Sequence, residues 1–153
     1  MWVPPENKDP VLLMAPTRKS VSLFGAVNLS SGKFRTRFEA RFDALAFKKF
    51  LEYLLRSRAH NKKIVLLLDN ARYHHAKILE PFLAKRKKQI KLLFLPAYSP
   101  DLNPIERVWK LTRRLCTHNR YFEKINELTD AVMRQHCEWK KPNETLRRLC
   151  CIK

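Results

Sequence analysis

The chain has 153 residues, and its 32 lysine and arginine residues outnumber its 14 acidic residues, giving a formal net charge of +18. This length suits one domain with one core, and a hydrophobic content of 45% argues against intrinsic disorder. Its two glycines exclude a glycine-rich phosphate-binding loop, and its apolar runs are too short to span a bilayer. These features predict a single-domain cytoplasmic protein without membrane attachment. Its charge calls for a polyanionic partner, most commonly nucleic acid.

The first half of the chain predicts a hairpin followed by a helix and a strand. Residues 1–19 are rich in proline and lack periodicity, so we expect an irregular segment there. Val21 to Asn28 and Lys33 to Ala40 are predicted strands, joined by turn residues at 30–32. Asp43 is the predicted N-cap of an amphipathic helix. The unbroken apolar run Ile64–Leu68 predicts a strand buried on both faces, as in a parallel sheet.

The second half alternates predicted helices with one more strand. A helix is expected from about His75 to Lys88, with Pro81 indicating a late start or a kink. A short buried strand follows at Leu92 to Leu95, and a proline-rich loop leads into a helix from Pro104 to Cys116. Two more helices are predicted, around Phe122 to Val132 and Glu144 to Cys150. This order of elements predicts an α/β fold, a mixed sheet with helices on its faces.

The four cysteines, at positions 116, 137, 150 and 151, do not suggest a metal site or a disulfide framework. They include no C-x-x-C motif, and their spacing fits no zinc pattern even with two histidines nearby. We expect all four to be reduced thiols.

Two carboxylates occupy positions suited to metal chemistry. Asp69 follows the buried run Ile64–Leu68, where open α/β sheets bind ligands, and Glu106 lies just after the second buried strand. If the strands are neighbours, the two carboxylates converge, and such oxygen ligands suit Mg²⁺ or Mn²⁺. Structural roles remain open for both, because Asp69 fits a turn and Glu106 fits a capping box behind Asn103.

The basic residues form two candidate DNA-binding groups. The first is the run Lys85, Arg86, Lys87 and Lys88, and the second is the helical face of Arg107, Lys110, Arg113 and Arg114, which also carries Glu106. A structural explanation without DNA binding also fits each group. The run fits a solvated helix end. On the helical face, Lys110 fits an i,i+4 ion pair with Glu106 worth a few tenths of a kcal/mol.

Two longer stretches carry a family resemblance. The sequence Asp-Asn-Ala-Arg-Tyr-His at 69–74, followed by Pro-Ala-Tyr-Ser-Pro-Asp-Leu-Asn-Pro-Ile-Glu-Arg-Val-Trp at 96–109, closely resembles the mariner-like transposases. It is most similar to their bacterial insertion-sequence relatives, the insertion-sequence-630 group. The hairpin region from Ser22 to Phe34 is also similar to that family, so the resemblance covers nearly the whole chain.

The resemblance implies a ribonuclease-H-like fold and a three-carboxylate DDE endonuclease site that binds two divalent ions, Mg²⁺ or Mn²⁺. Such a site cleaves transposon ends and joins them to target DNA, so the implied partners are both DNAs and the implied location is the bacterial nucleoid. Asp69 and Glu106 match the second and third catalytic positions. Asn70, His74 and Asn103 match positions beside the metals, and Tyr98, Ser99 and Pro100 match the loop that positions Glu106.

One departure from the family pattern affects the expected activity. The family's first catalytic aspartate lies on a first strand upstream of a Trp-x-Pro segment that Trp2-Val3-Pro4 resembles, and neither Asp9 nor Asp43 is assigned to that role. We therefore expect a domain without its first central strand, inactive alone, whose partner is an upstream transposase segment or a second copy. Two other functions stay open: a stand-alone nuclease of the same fold, and a non-catalytic basic nucleic-acid-binding protein.

Overall fold

The computed structural model describes residues 21–96 and 102–151, so the predicted irregular segment at 1–19 lies outside the described residues. Four strands and five α-helices follow one another in these two ranges. In chain order they are β1 (Ser22–Val27), β2 (Phe34–Glu39), α1 (Ala44–Arg56), β3 (Ile64–Leu68), α2 (Glu80–Lys85), β4 (Ile90–Phe94), α3 (Pro104–Thr112), α4 (Ile125–Glu138) and α5 (Glu144–Leu149).

The strands β1 and β2 form the predicted antiparallel hairpin, in which Ser22 is opposite Glu39 and Val27 is opposite Phe34. The side chain of Asn28 closes the turn, because its Oδ1 accepts hydrogen bonds from the backbone N–H groups of Ser30 and Ser31 at 3.0 Å each. Gly32 then takes a left-handed conformation with φ of 68°. The turn chemistry expected from the sequence is confirmed.

The helix α1 begins at its predicted cap and covers the larger of two hydrophobic clusters. Asp43 Oδ1 accepts a hydrogen bond from the Ala46 N–H at 2.8 Å, and this bond lowers the pKa of Asp43. The apolar stripe of α1 is fully buried at Phe47 and Leu51. It packs with Phe24 of the hairpin and with residues of α2 and β4 in one core.

The strands β3 and β4 pair in parallel, with Ile64 opposite Ile90 and Leu68 opposite Phe94. The prediction that both strands are buried on both faces is wrong. One face packs against the larger cluster, but Val65 is 55% exposed and Leu93 is 37% exposed on the other. Residues of α1 and α2 pack in the cluster that covers the face of Ile64, Leu66 and Leu92. A continuous apolar sequence therefore did not indicate two covered faces.

The segment between β3 and β4 corrects the predicted helix from His75 to Lys88. Two short 3-10 turns, Arg72–His75 and Lys77–Leu79, come first, and α2 itself covers only Glu80–Lys85. Pro81 occupies the first turn of α2, where a missing N–H costs nothing. The alternative of a late start is thus confirmed, because proline cannot lie in a helix interior without breaking a hydrogen bond.

The last three helices build a second, smaller cluster around Phe34 of β2. Val108, Trp139 and Leu146, one from each of α3, the end of α4 and α5, bury their side chains against Phe34. The predicted helix to Cys116 continues past α3 as a wide π-type turn over Arg113–Thr117. The turn at Gly32 docks on this region, since Asn143 donates its N–H to the Ser31 carbonyl at 2.9 Å.

The described strands form two two-stranded sheets, one antiparallel and one parallel, which together hold the strand directions of the predicted mixed sheet. The α/β fold class with flanking helices is confirmed. None of the helices in the described ranges is long and apolar enough to cross a membrane. All four cysteines are thiols, as expected, with positions 116 and 150 buried and positions 137 and 151 exposed.

Candidate active site

A cleft separates the two sheets, with β1 on one side and β3 on the other. Its walls include every residue from Leu23 to Val27 and every residue from Val65 to Leu68, and its volume is about 220 Å³. Consecutive strand residues point to opposite faces, so a cavity that touches all of them meets each strand at its edge. Among the described residues neither edge has a strand partner on this side. The cleft is therefore bounded by two open hydrogen-bonding edges.

Asp69 lies at the carboxyl end of β3 and borders this cleft. Its Oδ1 accepts a hydrogen bond from the Ala71 N–H at 3.2 Å and lies 3.1 Å from His74 Nδ1. The side chain is 62% exposed. Within the described ranges no hydrogen bond or ion pair of Oδ2 is present, so Oδ1 is the oxygen that the protein holds.

His74 supports Asp69 from the protein interior. Its ring is 7% exposed and packs on Phe47 and Tyr73, with both centroids 4.4 Å away. Nδ1 lies 3.1 Å from the Asp69 carbonyl oxygen as well as from the carboxylate. Both neighbours are acceptors, so Nδ1 carries the hydrogen. Burial lowers the pKa of His74, against the opposing effect of Asp69, and the neutral ring donates to Asp69.

Tyr73 borders the cleft beside His74 and has its own altered acidity. Burial and the nearby Asp69 charge raise the pKa of Tyr73, so its hydroxyl keeps its proton. On the other side of Asp69, Asn70 donates from Nδ2 to the Leu95 carbonyl at 2.6 Å. That bond ties the end of β3 to the end of β4, and it fixes the backbone that carries Asp69.

Glu106 enters the same cleft from the first turn of α3. Asn103 caps the helix, since its Oδ1 accepts from the Ile105 N–H at 3.4 Å, and the predicted N-cap is confirmed. The alternative ion pair with Lys110 does not form, and no ion pair of Glu106 is present among the described residues. The carboxylate is half-buried and shares the cleft with Asp69.

A close approach of α3 to β1 sets the position of Glu106. A Cβ atom on Gly25 would lie 2.5 Å from Cη2 of Trp109 and 3.0 Å from Cζ of Phe34. Trp109 lies three residues after Glu106, nearly one helical turn away, so the contact fixes the part of α3 that carries the carboxylate. The sequence alone did not predict this role of Gly25, because the position of a single glycine in a strand does not indicate which distant residue packs against it.

The two predicted basic groups occupy different places. Lys110 is exposed on α3, and Arg113 and Arg114 are exposed on the π-type turn that follows it. Arg107 instead donates from Nη1 to the carbonyl oxygens of Leu149 and Cys151, at 3.0 and 3.1 Å, and so caps the end of α5. The run 85–88 precedes β4 and lies at the amino end of the parallel sheet, whereas Asp69 lies at its carboxyl end.

Within residues 21–96 and 102–151, no cluster of three or more carboxylate, histidine or cysteine side chains is arranged to hold a metal ion. The cleft thus brings together Asp69, His74, Asn103 and Glu106, which is two carboxylates with two supporting side chains. The predicted positioning residues Tyr98, Ser99 and Pro100 lie outside the described residues.

Comparison with known proteins identifies the family. The family described as DDE superfamily endonuclease matches residues 1–129. This chain belongs to the DDE superfamily endonuclease family. The structure of the Mos1 mariner paired end complex with Mn has a similar fold, with a TM-score of 0.68 at 20% identity, over 98% of this chain and 46% of that one. The ribonuclease-H-like fold class is confirmed by that likeness.

Three curated proteins are similar to this chain in sequence. It is 34% identical over 121 residues to the uncharacterized protein y4pE/y4sA of Sinorhizobium fredii, covering 78% of the chain and 82% of that protein. It is 26% identical to the Tcb2 transposase of Caenorhabditis briggsae, covering 74% of the chain and 44% of the relative. It is also 26% identical to an insertion element IS630 protein of 39 kDa from Shigella sonnei, covering 72% and 32%.

The predicted resemblance to mariner-like and insertion-sequence-630 transposases is confirmed by these relatives. The chain spans less than half the length of the Tcb2 transposase and of the insertion-element protein.

Proposed function

We propose that the chain acts in transposition, as the part of a DDE transposase that supplies Asp69 and Glu106 to a metal-dependent site for DNA cleavage and strand transfer at transposon ends. One observation carries the proposal: the two carboxylates border one cleft at the carboxyl end of a parallel sheet. Family membership and the Tcb2 transposase relative support the reaction class. Its partners would be transposon-end and target DNA, and its place of action the bacterial nucleoid.

The donor atoms fit a divalent ion. Asp69 and Glu106 offer hard carboxylate oxygens, which are the ligands that Mg²⁺ and Mn²⁺ prefer. The exposure of Asp69 leaves room for water and a phosphate on the outer side. When bound, a pair of such ions supplies a water or hydroxyl nucleophile at neutral pH and stabilises the leaving oxygen of a phosphodiester.

The other side chains of the site would hold these carboxylates in place. His74 donates to Asp69 from the buried side, and Asn70 fixes the backbone at the end of β3. Asn103 caps α3 and so orients Glu106. We therefore assign these three residues to positioning, and Asp69 and Glu106 to metal binding and catalysis.

Metal titration tests the assignment directly. Mn²⁺ binding, followed by electron paramagnetic resonance, should weaken at least tenfold in Asp69→Asn and in Glu106→Gln. The matched control is Asp130→Asn, an exposed acid on α4 that should bind Mn²⁺ like the unchanged protein. Equal Mn²⁺ affinity in Asp69→Asn and the control would overturn the metal site. In that case a purely electrostatic DNA-binding protein would become the better description.

We further infer that the cleft between β1 and β3 receives one more strand, which brings a third carboxylate beside Asp69. Two open strand edges face each other across the cleft, and unpaired backbone N–H and C=O groups are costly unless water or another strand satisfies them. The cleft is lined mostly by apolar side chains, which suits the core position of a central strand. The described residues supply two carboxylates, so we expect no cleavage until the third is present.

A nicking assay tests this requirement separately from metal binding. Supercoiled plasmid incubated with the chain and Mg²⁺ or Mn²⁺ should stay intact, even where Mn²⁺ binds. Nicking that is abolished by Asp69→Asn would contradict the need for a further strand while leaving the metal site standing. Fusing to the amino end of the chain a segment that is predicted to form a strand and that carries an aspartate should produce nicking.

A further inference from the structure

The amino end of the parallel sheet carries a dense patch of cations that the site at the other end does not use. Two loops form it, residues 57–63 before β3 and residues 86–89 before β4, together with the last residue of α2. We name it the amino-end patch, and its cations are Arg58, Lys62, Lys63, Lys85, Arg86, Lys87 and Lys88. No acidic residue occurs between Glu52 and Asp69, or between Glu80 and Asp101.

The two loops are held together by the backbone rather than by chance proximity. The Ile64 N–H donates to the Gln89 carbonyl at 2.8 Å, which extends the β3–β4 pairing into the patch. Asn61 takes a left-handed conformation with φ of 57°, and the Lys62 N–H donates to the Ala59 carbonyl at 3.1 Å. Neighbouring strands lie about 4.8 Å apart, so the cations of both loops share one surface.

Most of these cations face solvent, and Glu52 of α1 lines a surface pocket together with Lys85 and Arg86. Arg58 is half-buried, and the other six side chains of the amino-end patch are exposed. Within the described part of the chain, none of the seven forms an ion pair. Like charges placed this closely repel one another unless an anion neutralises them. The repulsion within the patch therefore favours the binding of a polyanion.

The chemistry of the patch favours the backbone of duplex DNA over other polyanions. Its loops contain no Phe, Tyr or Trp on which single-stranded bases would stack, and their one smaller aromatic ring is that of His60. They also contain no large apolar side chain to anchor a membrane surface. Lysine and arginine without base-reading neighbours contact phosphates and do not read sequence.

The distance from the carboxylates separates this contact from the site of cleavage. From Lys63 to Asp69 the chain runs along β3, which spans roughly 20 Å at 3.3 Å per residue. Electrostatic screening acts over about 10 Å at 0.1 M salt, so the patch cannot neutralise a phosphate at Asp69. We propose that the amino-end patch is a second DNA-binding surface, which grips the backbone of a different stretch of duplex from the one at the carboxylates. This inference rests on the proposed function for its choice of DNA.

Salt-dependent DNA binding in EDTA tests the proposal, since no metal is then needed. Each lost phosphate contact should reduce the slope of log K against log salt by about 0.9, so Lys62→Ala/Lys63→Ala should lower it by nearly 2. Affinity for a duplex of unrelated sequence should fall roughly tenfold or more at 0.1 M salt. Lys87→Ala/Lys88→Ala should act similarly. The matched control, Lys124→Ala/Lys141→Ala, removes the same charge from exposed positions flanking α4.

Three results would overturn the amino-end patch as a DNA-binding surface. They are an equal slope change in the control, tighter binding to phosphatidylserine vesicles than to duplex, and a preference for single-stranded RNA. Asp69→Asn should keep the full salt slope in EDTA. A failure of the metal site would thus leave this result unchanged, and the two proposals fail separately.

Discussion

Acid should destabilise the fold through one buried histidine in the smaller cluster. His136 is 1% exposed, and its ring stacks on Trp139 and meets Phe34 edge-on, with centroids 5.5 and 5.0 Å away. Nε2 lies 3.1 Å from the Thr112 hydroxyl, and Nδ1 has no hydrogen-bond partner in the described part of the chain. A second proton would therefore place a charge, and an N–H without an acceptor, inside an aromatic core.

The size of this acid destabilisation follows from the lowered pKa of His136. Burial lowers the pKa of His136 from 6.5 to about 4. Because the folded pKa is depressed, this contribution to stability is complete above pH 6.5 and is lost as the pH falls toward 4. At roughly 1.4 kcal/mol for each tenfold change in proton affinity, the free energy of unfolding should drop by roughly 2.5 kcal/mol between pH 7.5 and 4.5.

Urea unfolding of the unchanged chain and of His136→Gln at both pH values measures the effect. The variant keeps an amide that can bond to Thr112 but does not titrate, so its loss on acidification should be smaller by about 2.5 kcal/mol. His74, whose pKa is also lowered, is present in both proteins and cancels. Equal losses within about 0.5 kcal/mol would refute the reasoning. If His136→Gln does not fold, an NMR titration of His136 in the unchanged chain replaces the comparison. A midpoint near 4 is expected, and a midpoint near 6.5 would refute the reasoning.

Substitutions at three positions test the contacts that position α3 and α5. Gly25→Ala should cost about 1–3 kcal/mol and change the fluorescence of Trp109, because the new Cβ would lie 2.5 Å from that ring. Gly32→Ala should cost more, about 2–5 kcal/mol in urea unfolding, since a Cβ there meets the Asn143 carbonyl at 1.8 Å and φ is 68°. Asn143→Ala should cost about 1 kcal/mol by losing its bond from the Leu146 N–H, whereas Asn143→Asp should keep it.

Each of these substitutions has its own contradicting result. Gly25→Ala with unchanged stability would mean that Trp109 moves freely, and α3 would then not be fixed by that contact. Gly32→Ala with a smaller cost than Gly25→Ala would contradict the rigidity assigned to the backbone contact. Asn143→Ala and Asn143→Asp of equal stability would remove the capping role.

Local chemistry determined where most elements begin and what fold class they build. The caps at Asp43 and Asn103 and the turn before Gly32 act within a few residues, so their side chains specify them without help from the rest of the chain. The family motifs around Asp69 and Glu106 likewise stand in the sequence. They named the candidate carboxylates, and the family match supports the same reaction class.

Tertiary structure decided what those residues contact. Ile64–Leu68 reads as a strand covered on both faces, yet Val65 is exposed, because helix coverage depends on where distant elements pack. The same holds for Arg107, whose guanidinium binds two carbonyl groups at the end of α5, more than 40 positions along the chain. Contacts between residues so far apart in the sequence cannot be predicted from the spacing of neighbouring residues.

The net charge of the chain shows the same division between what the sequence determines and what the tertiary structure decides. Composition established an excess of 18 positive charges, which predicts a polyanionic partner. Only the parallel register of β3 and β4 assigned the run Lys85–Lys88 to the end of the sheet opposite Asp69, beside Lys62 and Lys63. Charge is a sum over the sequence, whereas a binding surface depends on which loops the sheet brings side by side.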